Sequence, residues 1–145
     1  MKQIKYWMAG LAFLAACSGN NETSEIDRLR NEAIAVHDEI MPQISAFDRN
    51  TVKIDSILAH LSQLKDANPE LDTTQTRTEL TVLKQRLEEA ADAMMTWMTE
   101  FEVSPEDKSA DEVKAYYENE VRRVKELKQL FEEVSKESSE KLVQF

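Results

Sequence analysis

Five side chains in this sequence suit a soft metal ion: His37, Met41, Met94, Met95 and Met98. Thioether and imidazole ligands favour Cu(I). His37 with Met41, and Met94 with Met98, stand at i, i+4, which puts each pair on one face of a helix. Apart from Met1 and Met8, these are all the methionines, and Trp97 lies among them. Their surroundings are acidic. Between Leu87 and Asp107 there is no Lys or Arg, while Glu88, Glu89, Asp92, Glu100, Glu102, Glu106 and Asp107 all occur, and Asp38 and Glu39 flank His37. Carboxylates concentrate cations without themselves preferring copper. The competing expectation is packing: methionine fills the irregular gap that a proline such as Pro42 leaves in a core, and Met–Trp contacts are favourable in themselves.

Catalysis finds no such support. His37-Asp38-Glu39 lacks the second histidine of a zinc protease, since Met41 stands four residues on. Neighbouring helical residues point roughly 100° apart and cannot converge alone. No glycine follows Gly19, which excludes Gly-rich phosphate loops, dinucleotide fingerprints and a glycine-flanked serine elbow. One cysteine, Cys17, permits neither a disulfide framework nor a cysteine zinc site. The expectation is therefore no enzyme and no obligatory cofactor, with copper as the alternative.

Cys17 has another use. Lys2 and Lys5 give a basic start, Tyr6 to Ala16 is apolar, and Leu14-Ala15-Ala16 precedes the cysteine. The run is too short to span a bilayer but fits a secretory signal. Small residues before a cysteine resemble the lipobox of bacterial lipoproteins, in which cleavage leaves the cysteine as an acylated first residue. Residues 1–16 are thus expected to be a signal peptide and 17–23 a lipidated cysteine with a short tether. The domain proper would be 24–145. Ser18 after the cysteine favours outer-membrane sorting over inner-membrane retention, by analogy with other lipoproteins. Loss of residues 1–16 removes two lysines and no acid, making an already acidic chain, net −10, more so. Such a chain repels nucleic acid and anionic headgroups, so the lipid must bind the membrane. Charge favours basic proteins, cationic peptides or metal ions, and the expected partners are envelope proteins or basic surfaces.

The elements that position these residues are helices. Ile26, Leu29, Ala33, Val36, Ile40, Gln43, Phe47, Asn50, Ile54, Ile57, Leu61 and Leu64 follow steps of three and four, with only Gln43 and Asn50 polar. Thr23 or Ser24 suits its N-cap, and Pro42 should bend this helix by removing a donor and crowding the Asp38 carbonyl. Ala67 to Leu71 is a loop, and Asp72 with Gln75 looks like a capping box. A second stripe runs Leu80, Leu83, Leu87, Ala90, Met94, Trp97, Phe101. Ser104-Pro105-Glu106-Asp107 reads as the next helix start, with Ser109 and Glu112 as a later cap. The third stripe is Val113, Tyr117, Val121, Val124, Leu127, Phe131 and Val134, fraying towards Ser138 and Ser139. Tyr116 and Tyr117 read as its core, and His60 as a surface residue.

Short connections favour antiparallel neighbours. The expected fold is all-α: an up-down-up three-helix bundle with a long first helix bent at Pro42. Pro69 and Pro105 argue against a parallel coiled-coil oligomer. A turn near residues 64–73 puts residues whose numbers add to roughly 138 at one height, within a turn. Trp97 then lies level with Met41, and Phe101 with His37.

The lipobox, then Val36-His37-Asp38-Glu39-Ile40-Met41-Pro42, then Ala90-Ala91-Asp92-Ala93-Met94-Met95-Thr96-Trp97-Met98, together resemble a group of small helical lipoproteins of Bacteroidetes-type bacteria. Members commonly carry the label "viral A-type inclusion protein", which should not be read as a viral function. The resemblance spans essentially the whole chain. It implies an envelope lipoprotein and supplies no catalytic residues. The functional expectation is a membrane-anchored helical interaction or scaffold module.

Overall fold

A computed structural model describes residues 19–145, all helix and connecting loop, with no strand among the described residues. Residues 1–16 and Cys17, expected as signal peptide and lipidation site, lie outside the described residues. The helices are α1 (Gly19–Ile40), α2 (Ile44–Ala59), α3 (Leu61–Ala67), α4 (Thr73–Glu100) and α5 (Ala110–Leu142), with a 3-10 turn at Met41–Gln43 between the first two.

The apolar stripes are the core. Leu29, Ala33, Ile40, Phe47, Ile54, Ile57 and Leu61 are buried from α1–α3, and Leu80, Leu83, Leu87, Ala90, Met94 and Trp97 from α4. Tyr117, Val121, Val124, Phe131, Val134 and Leu142 complete it from α5. Pro42 sits in the 3-10 turn, where the Ile44 amide bonds to the Met41 carbonyl. The missing proline donor is absorbed there. A second break, absent from the sequence expectation, falls at His60. Its amide bonds to Ile57 O at 3.1 Å, and its Nδ1 lies 2.7 Å from Ser56 O.

Three boundaries differ from expectation. α1 begins at Gly19, so residues expected as tether are helical; nothing from Asn20 to Ser24 breaks a helix, and Glu22 suits the positive end of its dipole. α5 begins at Ala110 and not at Pro105. Ser109 and Glu112 form a reciprocal capping box, whereas Asp107 has φ 60°, which a continuous helix cannot contain. α5 also does not fray at Ser138 but runs to Leu142, because Ser138 is buried as a partner of Asn50. At α4, Asp72 caps the Thr74 and Gln75 amides, while the Gln75 side chain turns to Glu79 and leaves the box half made.

Polar contacts give the register. Lys125 to Glu32, Lys128 to Glu39, Ser135 to Gln43, Asn50 to Ser138 and Lys53 to the Leu142 carbonyl all join residues 88 to 93 apart. A constant separation means α1 and α2 point the same way as α5. Between α4 and α5 the separation grows, from Arg123–Glu100 (23) through Arg86–Glu137 (51) to Lys141–Glu79 (62), so these two run oppositely. The two polar residues of the first stripe thus meet two serines of α5: Ser135 Oγ lies 2.7 Å from Gln43 Oε1, and Asn50 Nδ2 donates to Ser138 Oγ at 2.6 Å.

Candidate functional site

Trp97 occupies the inward stripe near the C-terminal end of α4 and is 3% exposed. Against it lies His37 of α1, with ring centroids 5.6 Å apart and 27° between planes. The expected height placed Met41 level with Trp97; the observed partner is one turn earlier. Elsewhere the same register rule holds closely, since Lys84 pairs with Asp55 across α4 and α2 at 2.6 Å.

The stack continues. Trp97 lies on Phe101 (4.8 Å), Phe101 meets Tyr117 (6.0 Å), and Tyr117 meets Tyr116 edge-on (5.2 Å). Lys108 Nζ sits 4.8 Å over the Tyr116 ring, a cation–π contact. The Tyr117 hydroxyl donates to Val103 O at 2.7 Å, and the Tyr116 oxygen accepts from the Glu102 amide at 2.7 Å. Burial pushes both phenols above their ordinary value. The 101–109 connection is therefore fastened to α5 by two tyrosines. Tyr116, expected in the core, is half-buried and packs against its edge while fastening this connection.

His37 Nδ1 lies 2.9 Å from Asp38 Oδ1. A carboxylate only accepts, so Nδ1 carries the proton, and in the uncharged tautomer Nε2 is then the acceptor. Nε2 of His37 and Nε1 of Trp97 are both buried without a hydrogen-bond partner. Native interiors leave few such groups. Both rings line a cleft of about 310 Å³ between α1 and α4, with Ile34, Asp38, Met98, Phe101 and Val103.

The five residues singled out for metal are dispersed. His37 and Met98 share this cleft; Met94 is fully buried in the core, and Met95 is 53% exposed. Met41 is half-buried against the core. The helical spacing that aligns Met94 with Met98 puts Met94 inward and leaves Met98 at the edge of the same face. Among the described residues no three His, Cys, Asp or Glu side chains group to hold a metal ion.

Glu120 went unremarked in the sequence and is 2% exposed. Arg123 satisfies it at 3.0 Å and also reaches Glu100, the acid that burdens the negative end of α4. The signal was available: Glu120 lies beside Val121 on the inward stripe with an arginine three residues on. Arg123 also lines a cleft of about 390 Å³ on the opposite flank of Trp97, between α4 and α5.

Among the described residues no helix is long and apolar enough to cross a membrane. No protein-family model matches the chain, and neither the curated proteins nor the solved structures contain a match.

Proposed function

We propose that this chain is a bacterial envelope lipoprotein, held at the outer membrane by acylated Cys17, whose helical domain acts as an interaction or scaffold module without catalysis. In this reading the domain is an up-down-up three-helix bundle, with α1–α3 as one rod bent at Pro42 and α4 and α5 as the others. The register of the polar contacts supports that arrangement. The observation that carries the anchor is the sequence Leu14-Ala15-Ala16-Cys17 behind a basic start and an apolar run. Several acyl chains on one residue suffice for stable attachment, since each buried methylene contributes about 0.8 kcal/mol. Cys17→Ser should move the protein from the membrane pellet to the soluble fraction and abolish palmitate incorporation. Unchanged membrane retention without labelling would refute the anchor. Photo-crosslinking from exposed positions of the helices in cells tests the module, which fails if no envelope protein is captured from any face.

A second reading, binding of Cu(I), is favoured by one observation: His37 Nδ1 is committed to Asp38, leaving Nε2 as the free acceptor, and Met98 shares its cleft. An outer carboxylate that fixes the imidazole tautomer is the usual support of a metal-bound histidine. Anaerobic Cu(I) titration against a competing chelator should reach about one equivalent per chain. Met98→Leu should weaken it with the helical spectrum retained. Equal uptake by Met98→Leu and His37→Gln would remove this reading.

A further inference from the structure

The three seams between the helices are not alike. The α1–α2 seam with α5 is closed by five polar contacts, and the α4–α5 seam by four interhelical ion pairs. Between α1–α2 and α4, among the described residues, a single ion pair crosses, Lys84 to Asp55, at the far end. This seam instead carries two clefts, one on each side of the Pro42 turn. The first is the cleft of about 310 Å³ at His37 and Trp97; the second, about 400 Å³, is lined by Phe47, Asp48, Thr51, Leu87, Glu88 and Asp92 among others.

This seam is apolar at the His37–Trp97 end, while the second cleft is mainly polar and acidic. Met98 is 38% exposed in the first cleft, and Met95, one turn back on α4, is 53% exposed beside Asp92 and Thr99. Unbranched thioethers adapt to an incoming surface and are favoured at such sites. Asp38 and Asp48 edge the groove from the first rod, and Glu88 and Asp92 from α4. Lys84, the base at its end, is already bound to Asp55, which holds its pKa above the ordinary lysine value. Beneath lies Trp97, with a buried N–H that has no acceptor.

From these features we infer that the groove between α1–α2 and α4 docks an amphipathic helix of a partner protein whose polar face is basic. The inference rests on the interaction-module reading and names its surface and partner chemistry. Anchors at i, i+3/i+4 and i+7 would cover Met95 and Met98, and flanking Lys or Arg would meet the acidic margins. The groove from Glu88 to Val103 admits about four turns, roughly 14 residues. A second copy is the wrong occupant, because a chain of net charge −10 repels itself at these margins.

The test uses the full chain and a fluorescent four-turn Leu/Lys amphipathic peptide, read by anisotropy. Saturable binding at one peptide per chain is expected, about tenfold or more weaker for a Leu/Glu peptide of the same pattern. A Leu/Lys peptide with scrambled periodicity should also bind far more weakly. Asp48→Lys/Asp92→Lys should weaken binding by about tenfold, while Glu118→Lys/Glu126→Lys on the exposed side of α5 should leave it nearly unchanged. Circular dichroism must show both variants folded. Equal binding of the scrambled peptide, or equal weakening by the α5 variant, would reduce the effect to general charge attraction and overturn the inference. So would sedimentation showing dimers lost on Met95→Lys, which makes a second copy the occupant. Crosslinks confined to the α5 surface, without peptide binding here, would remove this groove and leave the interaction module standing.

Discussion

Asn50→Ala should cost more than the bond it deletes. Asn50 Nδ2 donates to Ser138 Oγ at 2.6 Å, and Ser138 is 1% exposed, so its stranded oxygen cannot be compensated by bulk water. Losing one partner of a buried pair costs about 1–3 kcal/mol, whereas a hydrogen bond contributes a net ~1 kcal/mol. Ser138→Ala alone leaves the half-buried Asn50 better placed to find solvent and should cost less, about 0.5–1.5 kcal/mol. The double variant removes both polar groups and should be more stable than the sum of the single losses by ~1 kcal/mol or more. With a urea m-value of about 1–3 kcal/mol/M, the Asn50→Ala midpoint should fall by about 1 M, and the double variant should recover part of that. Helical ellipticity against urea for all four proteins measures the coupling. A coupling of zero would refute the claim that this contact, rather than each residue's local helix preference, is what matters at the α2–α5 seam.

Leu87→Ala, at a position with no exposure, should destabilise by about 2–5 kcal/mol in urea denaturation through the cavity it leaves. Ser109→Ala removes one half of the α5 capping box and should cost about 1 kcal/mol by the same assay, with hydrogen exchange rising first in the opening turn of α5. Stability should fall towards both acid and alkaline pH, for opposite reasons. Glu32 beside Lys125, Glu79 beside Gln75 and Lys141, and Glu112 at the Ser109 amide are held below the ordinary 4.5, so their stabilisation is present above it and lost as pH falls further. Tyr116 and Tyr117, pushed above 10.0 by burial, contribute stability below pH 10 that is lost as pH rises through their folded values. Urea midpoints across the range check this, and a midpoint that does not fall below pH 4.5 or above pH 10 would contradict it.

Helix and core were legible in the sequence because steps of three and four select one face whatever the partner. Leu80, Leu83, Leu87, Ala90, Met94 and Trp97 are all buried, as their spacing required. Helix ends were less legible. Ser104-Pro105 and Ser109-Glu112 are both good starts in isolation, and the choice between them depends on Tyr116 and Tyr117 pinning the 101–109 backbone, a tertiary contact. Polar residues within a stripe look like exceptions in the sequence but are halves of pairs: Gln43 and Asn50 need Ser135 and Ser138, some ninety residues away. The methionine group was legible as a composition anomaly but not as a site. Spacing aligns residues along a helix, yet whether Met94 or Met98 faces a void depends on the neighbouring rods.

α1 begins at Gly19, two residues beyond the proposed acylation site at Cys17. The constant separation between α1 and α5 puts the beginning of α1 and the beginning of α5 at one end, and the 101–109 loop with them. On an acylated chain that end is the foot, and the Asn68–Asp72 turn and Phe145 are the head. At about 1.5 Å per residue, the 33 residues of α5 raise the head about 50 Å above the foot. His37 and Trp97 stand roughly 27 Å up, counted along α1. Anything that meets this cleft would then have to project from, or pass close to, the membrane that carries the lipid.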